Sequence, residues 1–171
     1  QRITLTVPEE AQSGFITLSD TAEIPNQILS EEKLTVILPS VSRISTVADA
    51  KPGNTVEVQG ENLNLVKQVL TANGSEAEFT VSGNTLSFEI PTDAADGEVV
   101  MVPASGVEVP VANLTMAMPT DVQATPATGL RAGSTLTLTG KNMELVTNVT
   151  FTNVADPVAL PAQTAERVTG A

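Results

Sequence analysis

An all-β fold, laid out as an array of sandwiches, is what this sequence predicts, and three observations predict it. Apolar residues recur at every second position in Thr55-Val56-Glu57-Val58-Gln59, Leu86-Ser87-Phe88-Glu89-Ile90, Leu114-Thr115-Met116-Ala117-Met118 and Thr135-Leu136-Thr137-Leu138-Thr139. Such alternation marks strands with one buried and one wet face. Turn signals separate the runs: Pro52-Gly53, Asn73-Gly74, Ser82-Gly83-Asn84, Asp96-Gly97 and Ser105-Gly106. Glycine and asparagine reach the positive φ that tight connections demand, and short strands between frequent turns make a sandwich. Finally, the chain repeats itself. Lys51-Pro52-Gly53-Asn54-Thr55-Val56-Glu57-Val58-Gln59-Gly60-Glu61-Asn62-Leu63 returns 80 positions later as Arg131-Ala132-Gly133-Ser134-Thr135-Leu136-Thr137-Leu138-Thr139-Gly140-Lys141-Asn142-Met143. A fixed internal period is the mark of a domain array.

The elements follow in order. One complete unit occupies 40–119, with strands expected near Arg43–Val47, Thr55–Gln59, Val66–Ala72, Glu78–Val81, Thr85–Ile90, Glu98–Pro103 and Val107–Met118. Pro110 interrupts the last of these; proline donates nothing to a ladder, so it belongs on an edge or at a bulge. The inward set is Ile44, Val56, Val58, Leu63, Val69, Phe79, Leu86, Phe88, Ile90, Val100, Leu114 and Met116. Residues 1–39 read as the second half of such a unit, because Ile3-Thr4-Leu5-Thr6-Val7-Pro8 answers Leu86-Ser87-Phe88-Glu89-Ile90-Pro91 and Ser13-Gly14-Phe15-Ile16 answers Asp96-Gly97-Glu98-Val99. Residues 120–171 read as the first half of another, with Ala165-Glu166-Arg167-Val168-Thr169-Gly170 answering 77–83. Pro39 and Pro119 stand at matching positions before each new unit, where short stiff linkers belong. Half a sandwich exposes an apolar face and raw strand edges. Either neighbouring chain or another copy of the molecule completes it, the latter as a strand exchange.

Composition excludes several functions. The 171 residues carry 20 Asp and Glu against 8 Lys and Arg, a formal charge of −12, which repels phosphate backbones and anionic bilayers and argues against nucleic acid as a partner. Without histidine or cysteine the chain lacks the commonest general base, the commonest metal ligand, the thiolate nucleophile and any disulfide. No window approaches the roughly 18 apolar residues of a membrane helix, so no direct membrane insertion is expected. No signal-peptide pattern is present; an exported parent would carry its own upstream. Four Phe with no Trp or Tyr leave little for the aromatic platforms on which recognition surfaces are built.

The central unit resembles the IPT/TIG family of immunoglobulin-like domains. The resemblance rests on Gly53-Asn54-Thr55-Val56-Glu57-Val58-Gln59-Gly60-Glu61-Asn62-Leu63, on Val66 and Val69, on Leu86-Ser87-Phe88-Glu89-Ile90-Pro91, and on Asp96-Gly97 with the valines after it. It implies tandem immunoglobulin-like β-sandwiches: the C-terminal half of a repeat at 1–39, a complete domain at 40–119, and the N-terminal half of a further repeat at 120–171. The tandem, Thr-rich and acidic character is similar to that of surface lipoproteins of Bacteroidetes polysaccharide-utilisation systems, where such domains lift a terminal glycan-binding domain off the outer membrane. Asp20-Thr21-Ala22 resembles the short O-glycosylation acceptor motif of those bacteria. The chain departs from the glycan-binding domains themselves, which use aromatic platforms.

Candidate chemistry is sparse. Glu9-Glu10, Glu31-Glu32 and Asp93 with Asp96 are the local acid clusters; each lies beside a turn or strand end and reads as solvated surface. The run Asp93-Ala94-Ala95-Asp96-Gly97 lacks the oxygen-ligand density of a calcium loop. Asn73, Asn113 and Asn148 open N-glycosylation sequons that a Thr-rich chain produces by coincidence. Asn62 and Asn142 are expected to cap backbone groups of a tight turn through their side chains. Met101, Met116, Met118 and Met143 read as core filling, and Ser134 with Lys141 as no catalytic pair. No catalytic, cofactor-binding or metal residue is assigned, and no enzyme is expected. The expectation is a non-catalytic extracellular spacer of a bacterial outer-membrane-anchored surface protein, with polysaccharide bound by other domains. The alternatives are a protein-interaction or adhesion module using an exposed strand edge, self-association through the end repeats, or direct polysaccharide binding.

Overall fold

The structure is a computed structural model that describes every residue except 1, 25, 46, 157, 161–166 and 171. The chain forms two compact units, Gln1–Met116 and Ala117–Ala171. No α-helix occurs among the described residues; all regular structure is strand or short 3-10 helix.

The first unit opens with residues 2–8, which form no strand although they alternate like one. A hairpin follows, β1 (Gly14–Ser19) against β2 (Gln27–Leu34). Then comes a seven-stranded sandwich: β3 (Ser40–Ile44), β4 (Thr55–Glu61), β5 (Val66–Leu70), β6 (Phe79–Ser82), β7 (Thr85–Glu89), β8 (Gly97–Pro103) and β9 (Val109–Leu114). One sheet runs β3-β4-β7-β6 and the other β5-β8-β9, the four-plus-three division of an immunoglobulin-like sandwich. Alternation decides what faces inward. In β4, Val56, Val58 and Gly60 are buried while Thr55, Glu57, Gln59 and Glu61 face water. Leu86, Phe88 and Ile90 meet them from the same sheet, and Val69, Val99, Met101 and Leu114 close the core from the other.

Two expectations change and one is met. Val100 is half-buried, and the inward residues of β8 are Val99, Met101 and Pro103. The run Val99-Val100-Met101-Val102 is apolar throughout, so its parity is not readable from alternation. The expected strand Val107–Met118 contracts to Val109–Leu114, and Met116 makes only an isolated bridge to Ala50. Pro110 lies opposite Val100 on the edge strand β9, where the register shifts between Val99 and Val100; it is therefore both at an edge and at a bulge.

The second unit contains β10 (Thr120–Thr125), β11 (Leu136–Lys141), β12 (Asn148–Val149), β13 (Val158–Ala159) and β14 (Arg167–Gly170), in sheets β10-β11-β14 and β12-β13. Its first elements copy the sandwich pair for pair. Ser40↔Glu61 and Arg43↔Gln59 in β3–β4 become Thr120↔Lys141 and Gln123↔Thr139 in β10–β11, each moved by 80 residues, with the irregularity in the same place. The 3-10 helix Leu63–Leu65 becomes Met143–Leu145. Strand β14 pairs with β11, Val168 opposite Leu138, as β7 pairs with β4, Leu86 opposite Val58. Arg167–Gly170 thus stands where β7 stands and not where β6 stands, contrary to the sequence correspondence; Ala165 and Glu166 of that correspondence lie outside the described residues. The hairpin β1–β2 copies another part. Gly14↔Leu34 and Phe15↔Lys33 match Gly97↔Leu114 and Glu98↔Asn113, and both hairpins then shift register.

Candidate functional site

The second unit presents an open apolar groove of about 430 Å³. Leu136 and Leu138 of β11 form its floor; Val149, Phe151, Val154, Val158 and Leu160 line its walls. Those leucines stand at the places of Val56 and Val58 in β4, 80 residues earlier, although burial along β11 does not alternate as it does in β4. The rim is a turn in which Ser134 Oγ accepts a hydrogen bond from the Arg131 amide at 3.0 Å; Asn54 Oδ1 does the same for Lys51 at 3.0 Å in the first unit. Ser134 is thereby engaged in a turn. Val56, Val58 and Val69 are fully buried between the two sheets of their sandwich, whereas Leu136, Leu138 and Val149 are only half-buried. Volume alone would suit a small ligand. Among the described residues, however, the walls are apolar side chains, with Arg131 and Ser134 at the rim.

The repeated Gly-x-Asn turn is structural, by a different route from the one expected. Asn62 and Asn142 both adopt the left-handed conformation, at φ 57° and 55°, and neither caps its 3-10 helix through its side chain. Asparagine tolerates that region better than most residues. The backbone closes the turn: the Leu65 amide donates to the Asn62 carbonyl at 3.0 Å and the Leu145 amide to the Asn142 carbonyl at 3.1 Å. The side chain of Asn142 donates instead to the Met118 carbonyl at 3.1 Å. Gly60 and Gly140 are needed beside it. A Cβ on Gly60 would fall on the carbonyl of Ser40, and one on Gly140 would stand 2.7 Å from the carbonyl of Thr120.

The acids do not converge. Glu9 pairs with Lys67 at 3.5 Å, both exposed, while Glu10, Glu31 and Glu32 face solvent. Asp93 fastens the 71–75 turn: its carboxylate accepts from Ser75 Oγ at 2.8 Å and its carbonyl from Asn73 Nδ2 at 2.7 Å, while Thr71 Oγ1 donates to Asn73 Oδ1 at 2.7 Å. Asp96 accepts from the Met116 amide at 2.6 Å. Among the described residues no group of acids is arranged to hold a metal. Lys141 pairs with Asp121 at 2.8 Å, which raises its pKa. Asp20 is held below the ordinary carboxylate value of 3.8 by hydrogen bonds from the Asn26 side chain, then from the amides of Ala22 and Asn26. Those bonds shape an exposed loop around Thr21. Of the sequon asparagines, Asn73 is tied into its turn, whereas Asn113 and Asn148 are exposed. Met101 and Met143 are buried and Met116 is half-buried, but Met118 is exposed rather than core.

A second cavity, about 290 Å³, lies inside the first unit where the hairpin meets the sandwich. Gln12 Nε2 donates to the Ser105 carbonyl at 2.8 Å there, and the Glu9–Lys67 pair borders it. Ser105 Oγ is buried without a hydrogen-bond partner. Sequence reasoning missed this join, since its residues lie 93 apart in the chain. It anticipated an open apolar face, but not the wall residues of the groove, Phe151 and Val154, which lie outside any alternating run.

No family model matches the chain, and no curated protein matches it. Among solved structures it is similar to the surface glycan-binding protein PbSGBP-B of Prevotella bryantii, with 16% identity, a TM-score of 0.43, and coverage of 80% of this chain and 36% of that one. It is also similar to SGBP-B of the mixed-linkage glucan utilization locus of Bacteroides ovatus, in complex with a mixed-linkage heptasaccharide, with 19% identity, a TM-score of 0.40, and coverage of 94% and 43%. A third structure, with xylogluco-oligosaccharide, shows 19% identity, a TM-score of 0.39, and coverage of 96% and 42%. The chain thus spans well under two thirds of each of these proteins. No helix among the described residues is long and apolar enough to cross a membrane.

Proposed function

We propose that this chain is a non-catalytic spacer of a bacterial cell-surface protein, a glycan-binding lipoprotein anchored in the outer membrane, whose polysaccharide is held by other domains. The observation that carries the reading is the join inside the first unit. Gln12 bonds to Ser105, Glu9 meets Lys67, and Pro39 is buried at the entry to β3. A hairpin whose flanking residues on both sides are fastened at the next sandwich transmits position, which is what a spacer is for. Each surface tie is weak alone, on the order of 0–1 kcal/mol for the exposed ion pair; their number matters more than their strength. The repeat supports the same reading, because the Gly-x-Asn turn is rebuilt in both units with backbone hydrogen bonds and brings no reactive groups together.

The chain contains no cysteine, so Glu31→Cys with Thr80→Cys gives two unique spin-label sites on the hairpin and on the sandwich. Double electron–electron resonance should return one narrow distance distribution. A broad one would overturn the stiff join. Affinity electrophoresis through mixed-linkage glucan and xyloglucan should show no retardation; retardation would replace the spacer reading with direct polysaccharide binding. The open groove of the second unit favours a second reading, an interaction module, because a contiguous apolar surface marks a place where something docks.

A further inference from the structure

We infer that the join between hairpin and sandwich is a clasped hinge, stiff at rest and able to open when two named contacts let go; this rests on the stiff join proposed above and adds how it gives way. The pivot is short. The Val36 amide donates to Ser13 Oγ at 2.9 Å, which ties the start of the connecting segment to the hairpin side. Pro39 is buried at the sandwich, where β3 begins. Between those anchors stand Ile37 and Leu38. A proline holds the residue before it to extended backbone, so Leu38 has little freedom. Ile37, 65% exposed, is left to absorb a rotation.

The clasp is two contacts made from one loop. The Ala11 amide closes a turn on the Pro8 carbonyl at 3.1 Å, and the Gly106 amide closes another on the Pro103 carbonyl at 2.9 Å. Beside the first turn, Gln12 Nε2 reaches the Ser105 carbonyl of the second at 2.8 Å, and Glu9 meets Lys67 of β5 at 3.5 Å. The cavity of about 290 Å³ touches pivot and clasp alike: Val36 and Ile37 line it together with Glu9, Lys67 and Ser105. A gap forfeits the contacts of its lining, so this space resists opening less than a packed interface does. One neutral hydrogen bond and one exposed ion pair favour closure by a factor on the order of ten. The open form is therefore a minor population that small changes at the clasp enlarge. The two contacts also differ in kind, because salt screens the exposed ion pair and leaves the neutral bond in place.

Double electron–electron resonance on the full chain, labelled at Glu31→Cys and Thr80→Cys, tests this in about 0.02 M and about 1 M salt. With the natural clasp, one narrow peak should persist at both. Gln12→Ala leaves the ion pair to hold the clasp, so molecules should appear outside that peak and increase about threefold as salt rises. Lys67→Ala leaves the neutral bond, so its displaced share should be the same at both salts. The double variant should displace about half of the molecules. Lys67→Glu, which faces Glu9 with a like charge, should open the join, and Glu9→Lys beside it should close it again. Glu9, Gln12 and Lys67 are all exposed, and far-UV circular dichroism checks that each variant stays folded. One narrow peak in the double variant overturns the clasp and leaves the stiff join standing. Equal salt responses of Gln12→Ala and Lys67→Ala overturn it too. A broad distribution with the natural clasp overturns the stiff join itself, and the clasp with it.

Discussion

At the scale of single residues, the chain uses its special side chains for backbone geometry. Gly60 and Gly140 let one strand pass against the carbonyl of its neighbour, and Asn62 and Asn142 take the left-handed turn that follows. Gly60→Ala should therefore cost about 1–3 kcal/mol, as overpacking against backbone does. Gly14, whose Cβ would meet nothing within 4 Å, should accept alanine within about 0.5 kcal/mol; urea unfolding of both variants checks the contrast. The Asp20 loop supplies a pH test. Its folded pKa is depressed, so its contribution to loop order is complete at neutral pH and is lost as pH falls through a value below 3.8. A carboxyl titration followed by NMR should find Asp20 below the ordinary midpoint, and Asn26→Ala, which removes the side-chain donor but keeps both backbone amides, should raise it part of the way back. The glycines were legible as a motif, but their reason was not, because the carbonyl they avoid lies 20 residues earlier.

At the scale of elements, alternation revealed β4 and β7 and their inward residues directly, since each apolar position is flanked by polar ones. It failed at β8, where four apolar residues in a row hide the parity and a bulge opposite Pro110 resets the partner strand. The structure settles the face, and mutation can check it. Met101→Ala should cost about 2–5 kcal/mol as a buried truncation, whereas Val100→Ala on the other face should cost about 1 kcal/mol. Equal losses in thermal or urea unfolding would mean that the register is misplaced. The role of β14 was illegible for a related reason. Arg167-Val168-Thr169-Gly170 suits either edge of a short ladder, and only pairing to β11 places it.

At the scale of the whole molecule, the two units differ in how much core they own. Nearly all fully buried apolar residues, from Val56 to Leu114, belong to the first unit, while Met143 is the largest such side chain described in the second. Local stability follows buried apolar contacts. In dilute solution, hydrogen exchange should leave amides of β4, β7 and β8 protected up to the global limit, while β10–β13 exchange through smaller openings. Uniform protection across both units would contradict this division. The repeat made the kinship of the units plain from sequence alone. What it could not reveal was how differently the same strand pair is buried in each, because burial depends on the sheet laid over it.

The 71–75 turn bears on how the protein ages. Asn-Gly is the dipeptide most prone to lose its side-chain amide, when the following backbone nitrogen attacks the side-chain carbon and closes a ring. In this turn the Gly74 nitrogen donates to the Thr71 carbonyl at 2.8 Å, and both ends of the Asn73 amide are engaged, by Thr71 Oγ1 and by the Asp93 carbonyl. Attacker and target are each held in bonds that ring closure would have to break. Asn73-Gly74 is thereby shielded from the chemical clock that otherwise runs in long-lived proteins.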